Sequence, residues 1–283
     1  MNSVTASVIS NNLILNCLDV NYYLMRVNSP AIARECKPGQ FVMIRCGKGN
    51  LLRRPLSIHR VHNSAEVEFL FSVPHNREKA RNPFHDRQTG QGSGCGMLWL
   101  SRQEEDSSID LIGPLGNGFS ILPSARKLLL VAGGIGIAPL VFLAEYAKSL
   151  KKSVIMLIGA KTSAGLYPEQ LLPSGIRAFF TVESGRKVNS SRKGRVTDLI
   201  DEYIHSADQV FACGPQPMYR ALDRQTLPYR DKISVQVSLE VRMGCGFGAC
   251  YGCSVKTKQG MKRVCKEGPV FDIEDIIWQE VKI

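Results

Sequence analysis

Four cysteines near the carboxyl terminus constrain this chain more than any other feature. They follow the spacing C-x4-C-x2-C-x11-C, at Cys245, Cys250, Cys253 and Cys265. Glycines alternate with the first three in GCGFGACYGC. A loop with few Cβ atoms can wrap closely around a charged centre and direct backbone N–H groups toward it. The segment therefore predicts a metal centre.

The spacing favours one kind of centre. The first three cysteines are spaced as in plant-type [2Fe–2S] ferredoxins. A structural zinc ion is the alternative, because zinc also accepts four thiolates, although such sites commonly use two short paired motifs. Here one pair is short and the fourth cysteine stands apart. A thioredoxin-like role for CYGC is disfavoured, since the pair does not open a helix after a strand.

Composition limits the remaining possibilities. The chain has 283 residues, enough for two or three domains, nine cysteines and a net charge of +11. We expect a cytoplasmic protein, because no signal peptide is recognisable and so many cysteines then indicate metal or redox chemistry. The long uncharged run at residues 128–144 contains AGGIGIAP, which indicates a strand, a turn and a helix rather than a membrane span. The sequence contains no recognisable nucleic-acid-binding module.

The first part of the chain is rich in strand patterns. Short alternating or apolar runs are separated by turn residues such as KPGQ and GPLGNG, which predicts a small antiparallel barrel or sandwich at residues 1–122, and we expect the β-barrel. A polar stretch at residues 74–94 interrupts the pattern. We interpret it as an exposed loop insertion, with a partner-docking loop as the alternative.

The pattern changes near Lys127. Apolar strands then alternate with helices, which predicts a doubly wound α/β domain at residues 123–228 whose sheet ends near Leu227. The cysteines would form a separate module at residues 229–283. The overall expectation is a multidomain α+β protein in which a barrel, an α/β domain and a metal module follow one another.

Two glycine turns follow strands of the α/β domain. The first, AGGIGIAPL, includes Gly133, Gly134 and Gly136, and the second, ACGPQPM, includes Cys213 and Gly214. Turns of small residues at the carboxyl ends of strands allow a pyrophosphate to approach the backbone at a helix amino terminus. Tight structural turns, with Cys213 as a buried apolar residue, are the alternative.

A third motif, LRRPLSIHR, lies in the barrel. Arg54 could pair with a phosphate, Pro55 would stiffen the turn, and Ser57 offers a hydroxyl group. A basic strand that begins after a turn explains the same residues. The motif alone therefore does not distinguish phosphate binding from a structural role.

Together, RPLS, GPLGNGF, GGIGIAPL and CGPQPM resemble, in this order, the ferredoxin–NADP reductase superfamily. The segment RMGCGFGACYGCSVKT…VCKEGPVFD resembles more specifically the electron-transfer subunits of two-subunit, NAD-linked bacterial dihydroorotate dehydrogenases. The resemblance implies FAD in the barrel, a nicotinamide cofactor as diffusible substrate in the α/β domain, and [2Fe–2S] on the cysteines. It implies flavin contacts at Arg54, Pro55, Leu56, Ser57, Phe71, Ser72, Val73, Gly96 and Met97.

Two departures from the family are visible. The stretch at residues 74–94 is longer than usual, and Met97 replaces a hydroxyl residue that commonly reaches the FAD phosphate. A methionine side chain cannot donate that hydrogen bond, so only the backbone N–H of Met97 would remain as a donor.

The resemblance also implies a function. The chain would pass electrons between NAD and the FMN of a separate catalytic subunit that oxidises dihydroorotate in pyrimidine biosynthesis, in a complex with two copies of each chain. No residue of this chain would act as an acid, base or nucleophile. The alternatives are a reductase subunit of a sulfhydrogenase or of a ferredoxin-linked transhydrogenase, and a zinc-bearing interaction protein without enzymatic activity.

The choice between NAD and NADP depends on the segment after RAFFTVES. Glu183 stands where a nucleotide-binding sheet often places the group that reads the ribose, and a carboxylate accepts bonds from a 2′-hydroxyl but repels a 2′-phosphate. Four basic residues oppose this interpretation, namely Arg186, Lys187, Arg192 and Lys193. We predict NAD.

Overall fold

The structure is a computed structural model, and it describes residues 2–47, 49–75, 93–185 and 191–281. Most of the predicted loop insertion at residues 74–94 lies outside these ranges, as do Arg186 and Lys187. Within the described ranges, no helix is long and apolar enough to cross a membrane.

The amino-terminal part forms a closed six-stranded barrel, as predicted. Its strands pair antiparallel in the order β1-β2-β5-β4-β3-β6. Alternating residues of these strands fill the barrel interior, because successive side chains of a strand point to opposite faces. The strands are β1 (Asn2–Asn16), β2 (Val20–Asn28), β3 (Phe41–Ile44), β4 (Arg54–His62), β5 (Glu66–Pro74) and β6 (Ser108–Leu115). Two helices accompany them, α1 (Pro30–Glu35) and α2 (Ser93–Ser101).

The second part is a seven-stranded sheet in the order β10-β9-β8-β7-β11-β12-β15. All neighbours are parallel except β12 and β15. Its strands are β7 (Lys127–Gly133), β8 (Ser153–Ala160), β9 (Arg177–Val182), β10 (Arg192–Lys193), β11 (Gln209–Cys213), β12 (Ser234–Ser238) and β15 (Val270–Asp272). Three α-helices connect strands here, α3 (Ile137–Ser149), α4 (Ile200–Tyr203) and α5 (Gln216–Thr226). Short 3-10 helices span Gly134–Gly136, Ser163–Gly165, Glu169–Leu171, Val196–Leu199, Ile204–Ser206, Leu227–Tyr229 and Ile273–Asp275.

The sheet is doubly wound, as its strand patterns predicted. Along β7, Leu128 and Leu130 pack with α3 on one face, whereas Leu129 and Val131 pack with α4 and α5 on the other. A strand buried on both faces needs an unbroken apolar run, which KLLLVAGG provides.

The sheet extends further along the chain than the sequence indicated. The prediction that it ends near Leu227 was wrong, because β12 and β15 add two strands beyond that residue. β12 follows α5 and pairs parallel with β11, and β15 then covers the sheet edge antiparallel. The cysteine segment, with its hairpin of β13 (Ser254–Thr257) and β14 (Gly260–Arg263), thus lies between two neighbouring strands of the seven-stranded sheet. A domain boundary at residues 228/229 stays a prediction.

Candidate functional site

The barrel wall opens beside the RPLS motif. The β4–β5 ladder runs from the Ile58–Phe69 pair to the His62–Glu66 pair. The earlier residues of β4, at positions 54–57, pair with β3 instead, while residues 71–73 of β5 pair with β2. The two strands therefore separate at the two predicted flavin segments instead of continuing their ladder. Backbone groups that the ladder would have paired become available there to a planar ligand.

The side chains of the β5 segment do not all face this opening. Phe71 is 1% exposed and stacks on Tyr23 inside the barrel, with 5.5 Å between ring centroids. Val73 is also buried in the barrel core, and Ser72 between them points the opposite way and is half-buried. Phe71 and Val73 can therefore meet a flavin only through their backbone.

Arg54 has the features of an anion-binding residue. It is half-buried, and its buried Nε atom has no hydrogen-bond partner among the residues that the structure describes. The neighbouring Arg53 differs, because its Nη2 donates to Asp110 Oδ2 at 2.8 Å. An unpartnered guanidinium nitrogen is costly unless a ligand completes it, so Arg54 fits a cofactor phosphate.

Helix α2 adds to this site. A Cβ on Gly96 would lie 3.1 Å from Arg54 Nε and 3.2 Å from Cys46 Cβ, so glycine allows the close approach of the helix to the arginine. Met97 lies in the second turn, where its N–H belongs to the helical pattern, and its side chain packs on the barrel core. This placement gives Met97 a packing role, whereas the N–H groups of the first turn of a helix are the ones that can donate to a phosphate.

The two glycine turns meet at the carboxyl ends of the adjacent strands β7 and β11. A Cβ on Gly136 would lie 2.1 Å from the Cys213 carbonyl oxygen and 2.7 Å from the Gly214 nitrogen, so only glycine permits this backbone contact. Gly134 has φ +55, and a Cβ there would meet open space. The turns thus form the floor of a crevice, and α3 begins directly beyond it, at Ile137.

Cys213 is held in this floor as a neutral thiol. It is 5% exposed, and burial raises its pKa to about 12. Tyr219 fixes the turn: its hydroxyl accepts a hydrogen bond from the Gly214 N–H at 2.9 Å and donates one to the Ser238 carbonyl at 2.6 Å. Cys213 therefore contributes shape, and no anionic nucleophile, to the crevice.

Glu183 follows β9 directly and is exposed at the carboxyl edge of the sheet. Its backbone N–H bonds to the Ala160 carbonyl at 3.1 Å. Arg192, on the edge strand β10, forms a salt bridge with Glu202. The Glu183 carboxylate is therefore accessible to a ligand. Of the four basic residues that would favour NADP, Arg192 already forms an ion pair.

The four cysteines come together as two pairs. The Ala249 N–H donates to Cys245 Sγ at 3.3 Å, and the Cys245 N–H donates to Cys250 Sγ at 3.5 Å. In the second pair, the Cys265 N–H donates to Cys253 Sγ at 3.4 Å. Among the described residues, no group of three or more His, Cys, Asp or Glu side chains is arranged to hold a metal ion. Four cysteine thiols are the usual ligand set of a [2Fe–2S] cluster.

The two pairs differ in their surroundings. Cys253 and Cys265 are 4% and 2% exposed, and burial raises the pKa of Cys265 to about 12. Cys250 is exposed. Partial burial acts to raise the pKa of Cys245, but hydrogen bonds from nearby backbone N–H groups, including that of Ala249, outweigh it and lower the pKa to about 6. The site therefore has one side in the core and one toward solvent.

Arg263 is a residue of this site that the sequence interpretation missed. Its Nη1 donates to the Gly248 carbonyl at 2.8 Å, and its Nε donates to Glu267 Oε2 at 3.1 Å. Its guanidinium also lies 4.6 Å from the centroid of the Tyr251 ring. Arg263 thus ties the loop of the first three cysteines to the segment of Cys265. Its position two residues before that cysteine was the only signal in the sequence.

Comparisons with known proteins agree with this arrangement. The family described as the iron–sulfur cluster binding domain of dihydroorotate dehydrogenase B matches residues 240–277, and the oxidoreductase NAD-binding domain family matches residues 130–224. The electron transfer subunit of dihydroorotate dehydrogenase B (NAD(+)) from Caldanaerobacter subterraneus is 35% identical over 85% of this chain and 87% of its own length. The subunit of the same name from Desulforamulus reducens is 34% identical over 92% of this chain and 94% of its own.

A solved structure extends the comparison to three dimensions. The NADH-dependent reduced ferredoxin-NADP oxidoreductase, studied for flavin-based electron bifurcation, is 26% identical with a TM-score of 0.77, covering 97% of this chain and 90% of that one. The barrel, the nucleotide-binding sheet and the cysteine module thus define an iron–sulfur flavoprotein oxidoreductase that uses FAD, [2Fe–2S] and NAD. Within that class, the chain belongs to the family of electron-transfer subunits of NAD-dependent dihydroorotate dehydrogenase B.

Proposed function

We propose that this chain passes electrons between NAD and the FMN of a separate subunit that oxidises dihydroorotate, in the synthesis of pyrimidine nucleotides. The observation that carries the proposal is the placement of the cysteine module. It lies between β12 and β15 of the sheet that bears the two glycine turns, and it is the segment that matches the dihydroorotate dehydrogenase B cluster family. The relatives named as electron transfer subunits support the same role.

The chain would provide separate sites for FAD, the nicotinamide cofactor and the cluster. Arg54 and the start of α2 would hold the FAD pyrophosphate, and the open segments at residues 54–57 and 71–73 would hold its ring by backbone contacts. Bound FAD supplies the exchange of electron pairs with NAD and of single electrons with the cluster. The turns at Gly134 and Gly214 would hold the nicotinamide cofactor, with Glu183 accepting from its ribose.

A catalytic partner would dock over the exposed side of the cluster loop. Phe247 and Tyr251 flank the exposed Cys250 and are themselves 46% and 63% exposed. Exposed aromatic residues of this kind commonly anchor protein interfaces. We propose an assembly with two copies of each chain.

We also propose a cytoplasmic location. The eight cysteines whose side chains the structure describes form no disulfide bonds, which suits a reducing compartment.

An alternative role has one specific observation in its favour. The NADH-dependent reduced ferredoxin-NADP oxidoreductase covers nearly the whole chain in three dimensions. That likeness supports a reductase subunit of a ferredoxin-linked complex. We favour the dihydroorotate role because the named subunits are more similar in sequence, at 34–35% identity against 26%.

The test is reconstitution with an FMN-containing dihydroorotate-oxidising subunit. We expect dihydroorotate-dependent NAD⁺ reduction only when both chains are present, and a complex mass that matches two copies of each. Phe247→Ala should weaken the association about tenfold or more while cluster absorption persists, since aromatic anchors carry much of the binding energy. Leu18→Ala, at a 95% exposed site in the barrel, is the control.

Two outcomes would contradict these proposals. If the reconstituted complex leaves NAD⁺ unreduced but couples NADH to ferredoxin and NADP, the alternative role is correct. If Leu18→Ala weakens the association as much as Phe247→Ala, the proposed docking surface is wrong.

A further inference from the structure

A buried contact joins the barrel directly to the cysteine loop. Met43 of β3 is fully buried, and a Cβ on Gly246 would lie 2.3 Å from its Cγ and 2.7 Å from its Sδ. Gly246, which lies between Cys245 and Cys250, also has φ +83, a backbone conformation that side chains disfavour. The methionine therefore occupies the space that a side chain at this loop position would need.

The strand that carries Met43 connects this contact to the predicted flavin segment. Met43 pairs with Pro55 in the β3–β4 ladder, so it lies directly across from the RPLS motif. Along β3, Val42 and Ile44 point into the barrel core. Met43 points the other way, into the core cluster that also contains Cys253 and Cys265.

We propose that Met43 is a positioning residue that sets the separation between the flavin-binding strand and the cluster loop. The proposal rests on the proposed function, because it assumes FAD beside residues 54–57 and the cluster on the four cysteines. One-electron transfer slows steeply with distance, so a small retreat of the loop at Gly246 has a large effect on the rate. An unbranched methionine suits this place, because it fills irregular gaps without forcing the backbone apart.

The kinetic experiment compares two buried methionines of the barrel in the full, cofactor-loaded protein. Met43→Ala removes the contact with the loop, whereas Met25→Ala makes the same change at an equally buried site in the barrel core. We expect flavin reduction by NADH to stay within twofold of wild type in both variants. Flavin-to-cluster transfer, followed by stopped-flow absorbance, should slow at least tenfold in Met43→Ala only. Met43→Leu, which nearly conserves volume, should restore the rate to within threefold.

A second measurement does not depend on electron transfer. Iron release to a chelator should be faster in Met43→Ala than in Met25→Ala, because the loop loses its support. In the apo protein, Gly246→Ala should lower the melting temperature more than Gly252→Ala, where an added Cβ meets only Cys250 Sγ at 3.6 Å.

Three results would overturn the inference. They are an unchanged transfer rate in Met43→Ala, an equal slowing in Met25→Ala, and equal melting temperatures for the two glycine variants. A wild-type protein that binds neither flavin nor iron would instead refute the proposed function, and the role of Met43 with it, even if the melting comparison still showed the contact.

Discussion

His59 Nε2 lies 3.0 Å from the hydroxyl oxygen of Tyr167, and its Nδ1 lies 2.9 Å from the Ala138 carbonyl oxygen. The carbonyl can only accept, so Nδ1 carries the proton and Nε2 accepts from the tyrosine. These bonds join β4 of the barrel to α3 and to the segment after β8, and the imidazole is fully buried. Burial, aided by the charge of Arg60, lowers the pKa of His59 to about 3.

This buried histidine predicts a loss of stability in mild acid. The unfolded chain binds the His59 proton below about pH 6.5, whereas the folded chain does so only near pH 3. Neutral His59 therefore makes its full contribution to the free energy of unfolding above pH 6.5. That contribution decreases as the pH falls, by about 2 kcal/mol at pH 5. Asparagine does not titrate, so the free energy of unfolding of His59→Asn should fall by about 2 kcal/mol less than that of wild type between pH 7 and pH 5. Urea unfolding at both pH values measures this, and equal losses in the two proteins would refute the prediction.

Replacing Cys253 should remove the cluster but spare the flavin. Cys253→Ser replaces a buried cysteine that we propose as a cluster ligand, so we expect cluster absorption and iron content to disappear and electron transfer to the partner to stop, while NADH still reduces bound FAD. Cys36→Ser changes a thiol in the barrel domain and serves as the control, with iron content as in wild type. Iron that persists in Cys253→Ser would show that the ligand assignment is wrong.

The adjacent arginines of the RRPLS segment should behave differently toward FAD. Arg54→Ala removes a guanidinium whose buried Nε has no hydrogen-bond partner among the described residues, and the loss of a charge-assisted contact should weaken FAD binding by about tenfold or more. Arg53→Ala instead breaks the bond to Asp110, so flavin occupancy should stay close to that of wild type. Flavin fluorescence after dialysis gives both values. The role of Arg54 is refuted if its variant retains FAD as well as the Arg53 variant does.

Glu183 should set the preference for NADH. Glu183→Gln removes the charge that repels a 2′-phosphate while keeping the shape, so kcat/KM for NADPH relative to NADH should rise about tenfold. The control is Glu105→Gln, which neutralises an exposed carboxylate between α2 and β6 of the barrel. Steady-state reduction of a dye acceptor measures both ratios. A wild-type protein that prefers NADPH would mean that the basic residues near Arg192 read the ribose instead.

Features that depend on a few neighbouring residues could be predicted from the sequence alone. The cysteine spacing and the glycines between them determine how a short loop can wrap a cluster, and AGGIGIAP and ACGPQ determine tight turns after strands. The change from alternating runs to buried runs near Lys127 likewise indicated an antiparallel β domain followed by an α/β sheet. These are local signals, because periodicity and backbone freedom act over a few residues.

Only the tertiary structure decided how these parts meet. The sequence did not show that β12 and β15 belong to the nucleotide-binding sheet, because the pairing of strands on either side of a long excursion is not a local property. Nor did it show that Phe71 points into the barrel, that Arg54 Nε has no partner among the described residues, or that Gly246 packs against Met43. Contacts between residues far apart in the chain depend on register and on the packing of whole elements, and those emerge only when the complete chain is folded.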